Sequence, residues 1–534
     1  MPMRTLHKSL AYLGILACAA MAQLAACASY SSDCSENGIC LRNGDEYRGG
    51  GEISPECKAL PSEDSSVIKD ECGIFVRASA ADGGDGTKAK PFKSLQAGLD
   101  AAKSAKFRVY ACAETYAEEA RADSVSIFGG FDCANGWAYV VDPAKRATIA
   151  PADGIALRVA GGGSLQVQDV IAQAPSYDQP AAAGEEAKSS IAAIVDGSTV
   201  EFARCDLEGG TAQGGAQGET PPDDPQTLSG LSGLPGTVGK GICEAGADNP
   251  GGAAVTKTCP DGSTSVGGKG GDGGTVQTTP TFMAFAGGDG ADGAPTGTAG
   301  QGGLGELESG AWDCSDGGIG KGKGGQDGEP GGPGAGAAAG KIDATGYVPA
   351  SGMSGAYGKP GQGGGGGGGA RGAQGVCGGT TRAGASGGSG GTGGCGGQGG
   401  GGGLGGGASI ALLSVNASVV LLDCVLQSSA GGDGGPGATG QTGGTIGAGA
   451  TGGGKSGSAN SGCKGGDGGE GGNGGPGGGG AGGPAIGVAH IGKAPETRGS
   501  TTITPGAPGT GGPGGGGGMS NVGANGVTGE IVAF

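Results

Sequence analysis

Residues 384–407 read GASGGSGGTGGCGGQGGGGGLGGG, with glycine at every third position for eight triplets. Residues 465–485 (GGDGGEGGNGGPGGGGAGGPA) hold the same register for seven triplets, and shorter runs start at Gly352, Gly431, Gly506 and Gly325. Glycine is 139 of 534 residues, several times the usual share of about 7%, but the period carries more than the amount. A period of three fits an extended left-handed helix with three residues per turn and a rise of about 3.1 Å. Every third residue then lies on one edge, where a missing side chain lets another backbone come close. Collagen shares this geometry but needs roughly 15–20% proline, and the chain has only 27 prolines. Many triplets are Gly-Gly-x, which opens a second edge as well.

Two readings of these runs compete. Fixing a residue costs about 1–2 kcal/mol of backbone entropy, most of all for glycine, and the runs offer almost no apolar area in return. Hydrogen bonds to neighbouring runs return about 1 kcal/mol each, so flexible loops and an ordered bundle are close in energy. Cysteines in or beside the runs (Cys243, Cys259, Cys314, Cys377, Cys395, Cys463) favour order, since a disulfide contributes about 2–4 kcal/mol by restricting the unfolded chain. The Gly-Gly-x composition resembles the polyglycine-II bundles of glycine-rich antifreeze proteins and some phage tail fibres. That likeness implies extended helices bonded through their backbones.

Between the runs the pattern changes to short apolar strands that repeat. Ser164–Ile171 (SLQVQDVI) can be laid over Ser418–Val425 (SVVLLDCV), and Ser198–Leu207 falls in with them, setting Cys205 against Cys424. Each copy follows a shorter apolar run, Ile155–Val159, Ile191–Val195 or Ile410–Val415. A solenoid coil of two or three strands would read this way, with Cys205 and Cys424 stacked inside, as plain buried thiols ahead of the alternative, a disulfide between them. Upstream, residues 74–150 carry strand patterns at Ile74–Arg77, Phe107–Cys112 and Val125–Phe128, and an amphipathic helix from Ser94 with Leu95, Leu99 and Ala102 on one face. The stretch Asp85–Glu119 (DGTKAKPFKSLQAGLDAAKSAKFRVYACAETYAEE) resembles the entry to the right-handed parallel β-helix of the pectin-lyase-like superfamily. There a Gly-Thr and Pro-Phe pair leads into a capping helix and then the first coil. The fold expected is therefore all-β, a right-handed parallel β-helix with long glycine-rich insertions that could form a polyglycine-II bundle.

The N-terminus reads as an export signal: Arg4 and Lys8, the apolar run Leu10–Met21, then Leu24-Ala25-Ala26-Cys27. These last four residues resemble the lipobox of bacterial lipoproteins, which implies a lipid on Cys27 and a membrane partner. The competing reading is a signal cut nearby that leaves no anchor. The expected organisation is a signal peptide (1–26), a tether and Cys-rich head (27–73), a cap and first coils (74–210), a glycine-rich insertion (211–407), a coil (408–430), a second insertion (431–484), and a final coil with a glycine-rich C-terminus (485–534).

Residues 27–534 carry 30 basic and 50 acidic side chains, a net −20 that disfavours nucleic acid, since phosphate contacts need Lys or Arg. Of 16 cysteines, setting aside Cys18 in the signal and Cys27 leaves an even number, which in an exported chain suggests disulfides. The candidates are Cys34, Cys40, Cys57, Cys72, Cys112, Cys133, Cys243, Cys259, Cys314, Cys377, Cys395 and Cys463. Catalytic signatures are lacking: His490 lies in an apolar strand, and Asp433, Asp467 and Glu470 occupy triplet x positions where a solvated face is expected. Residues 267–272 (GGKGGD) and 287–292 (GGDGAD) fit only the first part of a calcium nonapeptide. No metal, cofactor or catalytic residue is assigned. The expectation is a non-enzymatic envelope or surface lipoprotein, a spacer, adhesin or matrix component whose partner is an extracellular glycan or another surface protein. A polysaccharide-binding or polysaccharide-cleaving protein is the alternative.

Overall fold

Short apolar strands separated by tight corners bring the chain through three parallel sheets in rotation. A computed structural model describes residues 53–104, 107–239, 249–277, 283–372, 383–456 and 459–534, and over these the chain is mostly β with few helices. Strand β1 (Ile74–Val76) and helix α1 (Leu95–Lys103) open the structure. Next come β2 (Arg108–Cys112), β3 (Thr115–Tyr116) and β4 (Ala120–Asp123), one for each sheet. The rotation repeats with β5 (Ser126–Asp132), the short antiparallel β6 (Ala138–Tyr139), β7 (Ala147–Ile149) and β8 (Ile155–Ala160). It repeats again with β9 (Ser164–Gln168), β10 (Val170–Gln173) and β11 (Ser190–Asp196), followed by β12 (Thr199–Ala203) and β13 (Asp206–Gly209).

A long insertion follows, carrying a helical turn α2 (Pro225–Leu228) and three antiparallel hairpins. These are β14 (Val255–Thr258) with β15 (Thr264–Gly267), β16 (Val276–Gln277) with β17 (Met283–Ala284), and β18 (Lys341–Asp343) with β19 (Gly346–Val348). The rotation then resumes with β20 (Ser409–Val415), β21 (Ser418–Leu422) and β22 (Val425–Ser428). It ends with β23 (Ala485–Ile491), β24 (Glu496–Arg498), β25 (Thr502–Thr504) and β26 (Thr528–Ala533). The sheets run β1-β2-β5-β9-β12-β21-β24, β3-β7-β10-β13-β22-β25 and β4-β8-β11-β20-β23-β26. The register is that of the sequence repeat: Thr199 pairs with both Ser164 and Ser418, and Ile191 with both Ile155 and Ile410.

Inside, stacked Val, Leu, Ala and Ile side chains form one continuous core. Ser94 caps α1 through a 3.1 Å bond from Ala97 N–H to its hydroxyl, and Leu95 N–H bonds Glu118 at 2.6 Å, satisfying donors that a helix start leaves open. The corner from the first sheet to the second needs a left-handed residue, supplied by Asp169, Arg204 and Asp423 at φ of 53–54°. Arg204 is an uncommon choice for that conformation, and it is held there by bonds of 2.9 and 2.7 Å to the buried Asp169 carboxylate. On the outer face of the first sheet, Phe75, Tyr110, Phe128, Phe131 and Trp137 pack with the disulfides Cys57–Cys72 and Cys112–Cys133. Residues 53–73 are thus seated on the sheet: Arg108 donates to Lys58 and Ala59 carbonyls, and Tyr110 to Val67.

Every glycine-rich insertion leaves and rejoins at the same corner, after β13, β22 and β25 and before β20, β23 and β26. The runs are ordered and hydrogen-bonded to one another. Seven consecutive residues, Ser386 to Thr392, donate in rotation to three neighbouring runs, through the carbonyls of Thr237, Gly271, Cys463, Leu234, Gly268, Gly466 and Leu231, at 2.8–3.0 Å. The carbonyls of the same run accept from three further segments, Gly364 bonding Gly391, Gly447 bonding Thr392 and Gly252 bonding Gly387, all at 2.9 Å. The x positions are used too. Buried Ser386, Ser389 and Thr392 accept the N–H groups of Thr237, Leu234 and Leu231 at 2.7 Å, and Cys395, next in that row, bonds Cys259.

The glycines are dictated by space. A Cβ at Gly396 would lie 1.7 Å from the Gly358 carbonyl oxygen, and one at Gly387 1.8 Å from that of Gly367, whereas at Gly332 it would meet nothing within 4 Å. Gly396→Ala is therefore expected to destabilise the protein by about 3 kcal/mol or more through forced separation of two runs. Gly332→Ala should be neutral or stabilise by about 0.5 kcal/mol. Denaturant unfolding of the two variants beside the parent checks the pair.

Candidate functional site

Where the sheets meet the first insertion, a cleft of about 520 Å³ opens between β8, β11, the loop before β11 and the hairpin β18–β19. Its floor is apolar because β8 and β11 turn Ile155 and Ile191 outward against Ile342 and Tyr347 of the hairpin. Its rim is polar. Asp153 accepts from the Tyr177 hydroxyl and from Lys188 Nζ, both at 2.6 Å, and Lys188 lies 5.7 Å from the Tyr177 ring centre. Those two donors hold the Asp153 carboxyl below its ordinary range, Lys188 being the stronger. Burial, helped by the bond to Asp153, pushes the Tyr177 hydroxyl up to about 12. Glu186 and Ser189 complete the rim. With its one bonded acid engaged by an amine and a phenol, the arrangement is suited to holding a neutral polar ligand against an aromatic wall rather than to moving protons.

None of the rim residues stood out in the sequence. Tyr177, in the proline-flanked stretch APSYDQP, was the available signal: an aromatic in a loop between two strands.

A second polar cluster sits on the first sheet, where Tyr139, Asp169 and Arg204 bond one another. It closes a corner of the sheet. His490 lies in β23 with Nδ1 3.1 Å from the Gly492 carbonyl, a local backbone contact. Cys205 and Cys424 are stacked, buried and unlinked, their sulfurs 3.2 and 3.3 Å from the Val167 and Phe202 carbonyls, and burial pushes the Cys205 thiol up.

Of the disulfide candidates, eight pair as Cys57–Cys72, Cys112–Cys133, Cys259–Cys395 and Cys314–Cys463. Cys34, Cys40, Cys243 and Cys377, and the lipid candidate Cys27, lie outside the described residues. The last two pairs span 136 and 149 residues and tie separate runs of the insertions together.

The acids of the glycine triplets lie at the surface, Asp433 and Glu470 exposed and Asp467 half-buried, and Asp433 and Asp467 also take the place of backbone carbonyls. Asp433 accepts from Thr510 N–H at 2.7 Å and Asp467 from Gly449 N–H at 2.8 Å. The acids of the calcium-like half-matches do the same, Asp272 for Gly251 N–H and Asp292 for Gly302 N–H, each at 2.8 Å. Among the described residues no group of three or more His, Cys, Asp or Glu is placed to hold a metal ion.

Comparison with protein-family models, curated proteins and solved structures finds no match for this chain.

Burial works to raise the pKa of Asp272 and Asp467, but the backbone N–H bonds and Lys269 or Lys464 outweigh it, so both lie below the ordinary value of 3.8. A depressed folded-state pKa stabilises the protein above the unfolded value and is lost as pH falls through the folded one. Thermal stability should hold from pH 7 to about pH 5 and fall below about pH 4. Asp467→Asn, which keeps an acceptor for Gly449, should reduce that acid slope, as melting curves at pH 7, 4 and 2.5 would reveal.

Proposed function

We propose that this chain is an exported, lipid-anchored cell-envelope protein, and that it is a non-enzymatic structural element: a stiff spacer that presents its far end to a glycan, a matrix or another surface protein. In this reading the three-sheet rotation is a right-handed parallel β-helix and the insertions form a polyglycine-II bundle. One observation carries the proposal. The central run bonds to neighbouring segments on all sides in rotation, so a projection of roughly 75 Å, at about 3.1 Å for each of its residues, is supported along its length instead of hanging as a loop. The N-terminal Arg4, Lys8, apolar run and Leu-Ala-Ala-Cys27 order supports the anchor. The disulfides suit an oxidising compartment.

A second reading draws on the cleft. Tyr177 and Tyr347 beside a carboxylate and an amine are groups suited to stacking on a sugar and bonding its hydroxyls, which favours glycan binding over cleavage.

Labelled palmitate should enter the protein in bacteria and be lost in Cys27→Ser, with the variant released from membranes; label persisting in the variant would refute the anchor. In native gels containing neutral polysaccharides, retardation abolished by Tyr177→Ala would support the cleft reading. Release of sugar fragments would count against a purely structural role.

A further inference from the structure

At the end of the bundle remote from the sheets, residues 304–319 form a loop fixed to the central runs by Cys314–Cys463. Cys463 lies beside Gly388 and Gly368, and Gly388 is nineteen residues before Gly407, roughly 60 Å along the run. The loop encloses a hollow of about 160 Å³ walled by Trp312, Leu304, Leu307 and Ile319, with the Asp289 carboxylate at its edge. Leu304, Leu307 and Ile319 are 52%, 64% and 53% exposed, an unusual display for side chains held in a cross-linked loop. The Trp312 indole N–H is spent on the Leu304 carbonyl at 2.7 Å, and the ring edge lies over Gly320, where a Cβ would come within 2.6 Å of the indole nitrogen. The ring is thereby fixed as a wall. Asp289 accepts Gly305 N–H at 2.7 Å, and among the described residues no base pairs with it.

We infer that this hollow binds a quaternary ammonium group, as carried by choline-type headgroups. The chemistry is complementary in three respects. The methyl groups of such a cation are apolar enough for the leucine and isoleucine walls. Its positive charge is drawn to the electron-rich indole and to the unpaired Asp289. It needs no hydrogen bond, and the hollow's N–H is already used. A hydrated ion such as potassium would have to shed water without gaining ligands, and a neutral alcohol of the same shape would gain nothing from the Asp289 charge. The site stands apart from the spacer reading and from the cleft.

Tetramethylammonium chloride titrated into the full-length protein tests this through Trp312 fluorescence, Trp137 being buried in the aromatic cluster. A saturable change is expected with a midpoint on the order of 1–10 mM, absent in Trp312→Phe and not produced by potassium chloride at equal ionic strength. Asp289→Asn keeps the acceptor for Gly305 and should weaken binding about tenfold. Non-saturating behaviour, an equal response to potassium or to tert-butanol, or unchanged binding in Asp289→Asn would overturn the inference. If Trp312→Phe does not fold, as judged by circular dichroism, the calorimetric midpoint of the parent against Asp289→Asn decides.

Discussion

A backbone can be bonded to neighbours on several sides only if no side chain keeps them apart, and in this molecule glycine at every third residue meets that condition. Neighbouring runs approach so closely that a methyl group on Gly396 or Gly387 would overlap a carbonyl oxygen of the next run. The contact replaces a hydrophobic core: residues of the 384–407 run are almost all buried although it holds a single large apolar side chain, Leu404. Each bond returns about 0.5–1.5 kcal/mol, close to the entropy of fixing one residue. Order therefore depends on many bonds forming together and on additional ties.

Those ties come from both ends. At the sheets, the outgoing runs continue the ladder of the second sheet, with Gly215 bonding Asp433 and Gly434 bonding Thr510. The returning runs lead into the third, with Gly406 bonding Ala481 and Ser409 bonding Pro484. Strand register is set by buried side chains (Ile191 against Ile155 and Ile410, for instance), and it hands the featureless glycine runs a register that they could not choose themselves. Farther out, Cys259–Cys395 and Cys314–Cys463 hold runs that are far apart in sequence. At the surface, Asp433, Asp467, Asp272 and Asp292 supply acceptors where no neighbouring carbonyl remains.

Much of this was legible in the sequence because it is periodic. The triplet glycines gave the extended conformation and the edge that must stay bare, and the strand repeat gave the pairing register to the residue, including Cys205 beside Cys424. The start of α1 at Ser94 and the strand around His490 were also readable. What could not be read is whatever depends on contacts between distant segments: which run neighbours which, the pairing of Cys259 with Cys395 across 136 residues, and the cleft, whose walls come from residues 153–191 and 345–349. The triplet acids were legible as surface residues, but not their second role, because their partners are N–H groups 18 to 77 residues away.

The functional account rests on the bundle being a stiff object, since a projection that flexes cannot hold its tip at a set distance from a surface. Hydrogen exchange of the amides in residues 384–407, followed by mass spectrometry at neutral pH, measures that property directly. Glycine amides in an unstructured chain exchange within seconds or less, whereas bonds protected by cooperative packing persist far longer. The account predicts slow exchange throughout the run, comparable with β20 and β12. Exchange of the run within the mixing time, while those strands stay protected, would contradict it.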